Sequence, residues 1–295
     1  MEKHADGSTA SPAGALTGVR VISIAINLPG PACARRLADF GATVIKVEPP
    51  DELGGDPMRQ YARSYYDELH QGVEIRVLNL KSADGRRELD ALLATADVLL
   101  TSQRDAALAR LGLDWNRVCV RFPKLCQVGI VGAENGDDAG HDLTYVTQAG
   151  LATPPHLPAT LIADLGGAEH AVTAAFAALR LKEQDDRGHR IVVSLESAAN
   201  AFAGPRKHGL TGRGGLLAGQ HPGYNFYPAR DGWVALAALE PHFAARVQKV
   251  SGVAFTQEAL ARHFLQHDIL HWTDWAAEND IPLAVLPSSS TSTGS

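Results

Sequence analysis

Three side chains able to move a proton stand where a helix is about to begin. Asp164 lies in Leu161-Ile-Ala-Asp-Leu-Gly-Gly167, just ahead of a long Ala-rich stretch. An aspartate there is a good N-cap, because its carboxylate accepts N–H bonds from the first turn. The same geometry suits chemistry. Glycines at 166 and 167 let a substrate approach the backbone, and a helix N-terminus stabilises negative charge as it develops. His141 stands in Ala139-Gly-His-Asp-Leu-Thr-Tyr145, after an irregular acidic stretch and before a short helix. It reads as a catalytic-loop histidine or as a structural one, with Asp142 beside it as a second candidate N-cap. Glu240 opens Glu240-Pro-His-Phe243 at a strand-to-helix junction, where a first-turn acid is also favoured by the helix dipole.

Other constellations carry less. His263, His267 and His271 have i, i+4, i+8 spacing, which puts them on one stripe of a continuous helix; with Asp268 and Asp274 near, that is metal-ligand spacing or a solvated face. The residues bring no cysteine partner to it, so no metal is expected. The first strand–helix–strand unit ends at Glu48, where a ribose-binding acid could stand. Its turn, however, is Asn27-Leu-Pro-Gly-Pro31 and lacks the GxGxxG through which a pyrophosphate reaches the backbone. Cys33, Cys119 and Cys126 sit among apolar residues and read as core thiols.

The elements that must position these residues alternate. Val19–Ile26 reads as a strand, 28–31 as a turn, Ala32–Phe40 as a helix and Thr43–Val47 as a strand. That βαβ unit favours a parallel sheet with right-handed crossovers. The theme returns with a strand at Arg76–Leu80, a helix capped by Ser82, and strands at Asp97–Thr101 and Leu125–Val131. A helix from about Gly167 to Gln184 and a strand at Arg190–Leu195 follow. Beyond a glycine-rich stretch the grammar changes to a hairpin (226–228 and 233–239) and helices at 241–250, 257–267 and 272–278. The fold class is therefore α/β: a Rossmann-like, doubly wound large domain over 16–203, a Gly-rich linker over 204–225 and a smaller α+β domain over 226–287. Tails at 1–15 and 288–295 are expected to be disordered.

Composition narrows the function classes. With 27 basic and 33 acidic residues the 295-residue chain carries a net charge of −6, which offers no footprint for nucleic acid. Three cysteines cannot make a disulfide framework and point to a reducing, cytoplasmic setting. The polar first dozen residues lack a signal peptide's apolar segment, and no apolar run is long enough to span a membrane.

Taken in order, several segments resemble the family III CoA-transferases, which include the α-methylacyl-CoA racemases. They are Gly18-Val-Arg-Val21, Gly30-Pro31, Gly41-Ala-Thr-Val-Ile-Lys-Val-Glu-Pro-Pro50, Gly55-Asp-Pro57, Asn79-Leu-Lys81, Ala96-Asp-Val-Leu99, Leu108-Ala-Arg-Leu-Gly-Leu113 and Ala163-Asp164. The likeness runs from about Leu16 to Leu286. It implies an acyl-CoA substrate, with coenzyme A carried in the substrate and no further cofactor. It also implies a homodimer of interlocked rings, with a segment beyond the likeness that returns to the large domain.

Two chemistries share that scaffold. In the transferases the aspartate matching Asp164 attacks the thioester, giving an acyl-aspartyl anhydride and then an aspartyl-CoA thioester. In the racemases an aspartate and a histidine, matching Asp164 and His141, flank the acyl α-carbon. One removes its proton and the other returns it from the far face, while helix N-terminal amides, expected here around Leu165, Gly166 and Gly167, hold the enolate. Glu240 matches an acid near that site. The resemblance thus leans to a 2-methylacyl-CoA racemase or epimerase, with CoA transfer as the alternative and a catalytically silent CoA-binding protein as a third reading. The third draws on lost basic residues: His70-Gln-Gly-Val-Glu74 and Ser102-Gln-Arg-Asp-Ala106 replace more basic family segments, keeping Arg104. The cations expected to meet CoA phosphates are Lys46 and Arg104, then Arg20, Arg76 and Arg110.

Overall fold

The structure, a computed structural model, describes residues 14–134 and 140–288. Most of both expected tails therefore lies outside the described residues. By their contacts the residues form two compact units, divided between Ala203 and Gly204.

The first unit runs β1 (Arg20–Ser23), α1 (Pro29–Asp39), β2 (Thr43–Glu48), α2 (Met58–Tyr61), α3 (Arg63–Leu69), β3 (Glu74–Val77), α4 (Ala83–Leu93), β4 (Val98–Thr101), α5 (Asp105–Leu111), α6 (Trp115–Arg121), β5 (Cys126–Val131), α7 (Asp142–Gln148), α8 (Ile162–Asp185), β6 (Arg190–Ser194) and α9 (Leu195–Phe202). Its six strands are all parallel, in the order β3-β2-β1-β4-β5-β6. That is the doubly wound Rossmann arrangement, with its switch point between β1 and β4.

Alternation along the strands builds a core on each face. Val21, Val44, Leu100, Val128 and Ile130 pack with α1, α7, α8 and α9. Ile22, Ile45, Val47 and Leu99 pack with α4, α5 and α6. Helices on both sides bury both faces, which is why β4 reads as an unbroken apolar run. Ser82 caps α4 as expected, its hydroxyl accepting the Gly85 N–H at 3.1 Å. Two boundaries differ from the sequence reading. The 28–31 turn is already the start of α1, since Pro at the first helical position loses no bond there. The long helix begins at Ile162, five residues before Gly167.

The second unit holds α10 (Gly204–Lys207), β7 (Tyr224–Pro228), β8 (Gly232–Ala237), α11 (Pro241–Ser251), α12 (Gln257–Phe264), α13 (Ile269–Glu278) and β9 (Leu283–Pro287). Its strands form an antiparallel sheet, β7-β8-β9, over a core around Trp272, Phe264 and Val234. The glycine-rich stretch is built into this unit. Asn225 and Gln257 both donate side-chain amides to the Gly219 carbonyl.

The histidine stripe does not form. Asp268 caps a new helix by accepting the His271 N–H at 2.9 Å, so His263 ends α12 while His271 lies in α13. His267 and His271 stack at 3.9 Å, and no metal-holding group exists among the described residues. Among those residues, too, no helix is long and apolar enough to cross a membrane.

Candidate active site

The catalytic candidates of the first unit meet at the carboxyl edge of the parallel sheet. A cavity of about 480 Å³ opens there. Ile26, Asn27 and Pro29 reach it after β1, Ser102 and Arg104 after β4, and Ile130, Val131 and Gly132 from the end of β5. Gly140, His141, Asp164, Leu195 and Tyr61 complete the lining. Open α/β sheets bind ligands at this place because successive loops diverge at the switch point.

His141 and Asp164 are brought here by one interlock. His141 is the N-cap of α7, and the Thr144 hydroxyl accepts its N–H at 3.0 Å. The loop before it needs glycine: a Cβ on Gly140 would fall 2.3 Å from the buried Tyr145 ring. Next in the chain, the buried Asp142 turns away from its own helix and caps α8. Its Oδ1 accepts the Ala163 N–H at 2.7 Å and the Asp164 N–H at 3.1 Å. The N-cap role open to Asp164 thus belongs to Asp142. Freed of it, Asp164 sits in the first turn, half-buried, with its carboxyl toward the cavity.

Its environment keeps that carboxyl incompletely neutralised. Burial and the neighbouring Asp142 charge push it up to about 6, opposed in part by His141. An acid with this value is populated in both forms near neutrality, as a general acid–base group requires.

The expected enolate-binding amides at Leu165, Gly166 and Gly167 are a correction. The Leu165 N–H is bonded to the Leu161 carbonyl at 3.0 Å. Gly166 and Gly167 are buried where α8 crosses α9, and a Cβ on either would meet Phe202 or Leu195 within 2.4 Å. They are glycines so that two helices can touch. Among the described residues lining the cavity, the side chains able to donate a hydrogen bond to a substrate are Asn27, Tyr61, Ser102, Arg104 and His141.

The expected cations separate. Arg104 lines the cavity from the N-cap of α5, and Arg110 is exposed further along that helix. Lys46 is corrected: its side chain is fully buried, with Glu48 Oε1 at 2.8 Å, His70 Nε2 at 2.9 Å and Asp56 against it. No phosphate can reach it. Arg20 is corrected as well, since it starts β1 at the opposite, amino edge of the sheet. Arg76 lies on the edge strand β3, paired with Glu74 at 2.5 Å. Glu240 belongs to the second unit, at the N-cap of α11.

Sequence reading passed over Asn27 and Tyr61, and over Lys81 in a second cavity of about 190 Å³. That cavity is lined by Ile24, Val47, Leu78 and Gln103 and shares Ile26 with the first. Position after a strand was the available signal for Asn27 and Lys81, while Tyr61 ends α2. A larger cavity, about 700 Å³, lies in the second unit, but no carboxylate, imidazole, thiol or amine lines it. Cys33 and Cys126 are buried, which pushes both thiols up and leaves them unreactive.

Comparison with known proteins gives the fold and the family. The family model described as CoA-transferase family III matches residues 16–266. The chain is 30% identical over 268 residues to a succinate–glutarate CoA-transferase of Agrobacterium fabrum, covering 81% of this chain and 66% of that protein. It is 31% identical over 258 residues to an α-methylacyl-CoA racemase of Mus musculus, covering 81% and 65%. Among solved structures, hypothetical protein Rv3272 of Mycobacterium tuberculosis shares the fold, with a TM-score of 0.77 at 21% identity, over 94% of this chain and 87% of that one. The chain spans about half to two-thirds of the length of the curated relatives it matches. By the family match across most of its length, the chain belongs to CoA-transferase family III.

Proposed function

We propose that the cavity takes the thioester end of an acyl-CoA, and that Asp164 and His141 exchange a proton at the acyl α-carbon, as in a 2-methylacyl-CoA racemase or epimerase. The observation that carries this is Asp164 itself: a half-buried carboxyl pushed up to about 6, sharing a cavity with an imidazole. One group can hold a proton while the other is free, which is what inversion at carbon needs. The α-proton of a thioester leaves only if the enolate oxygen is hydrogen-bonded as it forms. With the first α8 amides held by Asp142, those bonds fall to the side chains lining the cavity. The two cavities share Ile26 in their lining, and Arg104 of the first and Lys81 of the second are the cations that would meet CoA phosphates in this reading, with Arg110 further along α5. Glu240 stands as a third acid on the resemblance. The chain is expected to act as a homodimer, which light scattering at micromolar concentration checks.

A second reading has its own support. The succinate–glutarate relative is named a CoA-transferase, as are others of similar identity. There Asp164 would attack the thioester carbonyl, the C–S bond would break, and CoA would leave as thiolate, leaving the acyl group on Asp164 as an acyl-aspartyl anhydride. Incubation with a panel of acyl-CoAs and free acids in D₂O separates the two. Proton transfer gives α-deuteration of 2-methylacyl-CoA, and His141→Ala stops racemisation. Transfer of CoA between acids with no α-exchange in the wild type would overturn the first reading.

A further inference from the structure

We propose that His70 is a positioning residue for the cavity that holds Asp164 and His141. Its neutral ring completes the cradle of the buried Lys46 ammonium, Lys46 fixes Asp56, and Asp56 fixes the backbone of Asn27 in the cavity wall. A proton arriving on His70 therefore loosens that wall. The link stands on contacts alone; its effect on catalysis rests on reading the cavity as an acyl-CoA site.

Donor chemistry assigns every group in the cradle. An ammonium has three N–H donors and no acceptor. Lys46 spends them on Glu48 Oε1 at 2.8 Å, on Asp56 Oδ2 and on His70 Nε2 at 2.9 Å. His70 Nε2 must therefore be bare. The other ring nitrogen lies 2.6 Å from the Tyr66 carbonyl oxygen, which can only accept, so Nδ1 carries the hydrogen. One tautomer of the neutral ring satisfies both neighbours, whereas the imidazolium satisfies one. The side chains of Lys46, Glu48 and Asp56 are fully buried, so water cannot replace a lost acceptor unless the cluster opens.

The second half of the link runs outward from Asp56. Its Oδ1 accepts the Asn27 N–H at 3.2 Å and the Met58 N–H at 3.0 Å, while Oδ2 is the oxygen that Lys46 holds. Asn27 needs that hold. Its φ is +62°, a left-handed conformation that persists where the surroundings over-determine it. Asn27 follows β1 and lines the same cavity as Asp164 and His141.

The proton has a way in. His70 lines a separate cavity of about 330 Å³ with Arg59, Arg63, Tyr66, Asp67 and Ile75. The charges facing the ring are Lys46 and Glu48 from β2 and Asp56 from the loop after it. Arg59 of α2 and Arg63 and Asp67 of α3 surround the cavity, and Arg35 of α1 holds the neighbouring Gln71 carbonyl. When Nε2 takes a proton from solvent, its bond from Lys46 is lost and two cations face each other. Burial and the Lys46 ammonium hold the ring below its ordinary 6.5, against the Tyr66 carbonyl, Glu48 and Asp56, so release comes on the acid side.

NMR of ring and backbone nitrogens from about pH 8 to 4 tests this on the wild type, Asp164→Asn, His70→Gln and His70→Leu. Glutamine can offer an oxygen near the place of Nε2 and takes no proton. The wild-type ring is expected as the Nδ1–H tautomer at neutral pH, and the Asn27 amide should move with the His70 midpoint on acidification. That step should persist in Asp164→Asn and vanish in His70→Gln, while His70→Leu should show the displaced Asn27 amide at every pH. In kinetics, KM for 2-methylacyl-CoA should rise about tenfold through the His70 midpoint in the wild type, the worth of about one hydrogen bond, and not in His70→Gln. An Nε2–H tautomer, or an Asn27 amide that ignores the His70 midpoint, overturns the inference on the wild type alone. So does a step that survives in His70→Gln, or a wild-type KM that stays flat while turnover is measured. An absence of turnover removes the proposed reaction instead, and the amide titration still decides this link.

Discussion

Two clusters in the first unit hold the same chemical groups, two carboxylates and a histidine, yet they are built for opposite ends. Around Lys46, both Glu48 and Asp56 are fully buried and fully answered. Burial alone would raise the Glu48 carboxyl. Hydrogen bonds from Lys46 and Tyr66, with the charges of Lys46 and Arg59, outweigh it and hold Glu48 below the usual range. His70 is shifted down by burial and by the Lys46 ammonium, which favours the neutral ring. Around Asp164 no lysine intervenes. Asp142 spends its charge on the α8 amides, His141 answers only in part, and the Asp164 carboxyl rises to about 6. Burial is the largest cause of that rise, and it prevails because no lysine answers Asp164 as Lys46 answers Glu48.

The largest test of that contrast is Asp164→Asn. It should remove α-proton exchange and CoA transfer alike, by about 10²–10⁴-fold as a lost general base does, measured by deuteration in D₂O and by appearance of new CoA esters. The same change should leave the fold intact or firmer. Retention of either activity at wild-type rate would remove Asp164 from the mechanism.

Next in size is Lys46→Met, which strips the counter-charge from two buried carboxylates. A loss of about 3–5 kcal/mol in urea unfolding is expected, as when one partner of a buried pair is removed. A loss below about 1 kcal/mol, the scale of a surface pair, would show that the cluster is solvated in solution.

The pH dependence of stability should separate the two carboxyls by sign. Asp164 is raised, from 3.8 to about 6, so its ionisation disfavours the folded state. Its contribution is lost as pH climbs through that window, by about 2 kcal/mol at most after allowing for partial exposure. Glu48 is lowered, so its contribution is present above 4.5 and is lost as pH falls through its folded value. Comparing wild type with Asp164→Asn by urea unfolding from pH 3 to 8 should show the decline between about 4 and 6 disappear in the variant. An unchanged profile would mean that Asp164 titrates as an ordinary aspartate.

The smallest expected effect is Asp142→Asn. The amide oxygen can still accept the Ala163 and Asp164 N–H groups, while the charge that raises Asp164 is gone. The acid limb of the pH–rate profile, set near 6 by Asp164, should move a fraction of a unit lower. Movement upward would mean that the helix cap, not the charge, dominates.

Local pattern carried much of the fold. Apolar strands at regular intervals, Ser82 ahead of its helix, and the Pro241 helix start are readable because each depends on neighbours within a few residues. Asp164 and His141 were legible as candidates for the same reason: each stands at a loop-to-helix boundary. The failures differ in reach. Gly166 and Gly167 read as a substrate approach, but they serve the crossing of α8 and α9, nearly thirty residues on. The 263–271 stripe assumed one helix, which Asp268 divides into two.

By itself, then, the sequence determined the alternation of strands and helices, the doubly wound class and the residue types available for proton transfer. These follow from periodicity and from caps, which act over one or two turns. The tertiary structure decided what each charged residue is for. Lys46 lies within a strand and Asp164 at a helix start, yet one is sealed among carboxylates and the other faces a cavity. That outcome depends on Asp56, ten residues from Lys46, and on Asp142, twenty-two from Asp164. Electrostatic environment is a sum over groups brought together in space, and chain order does not encode that sum.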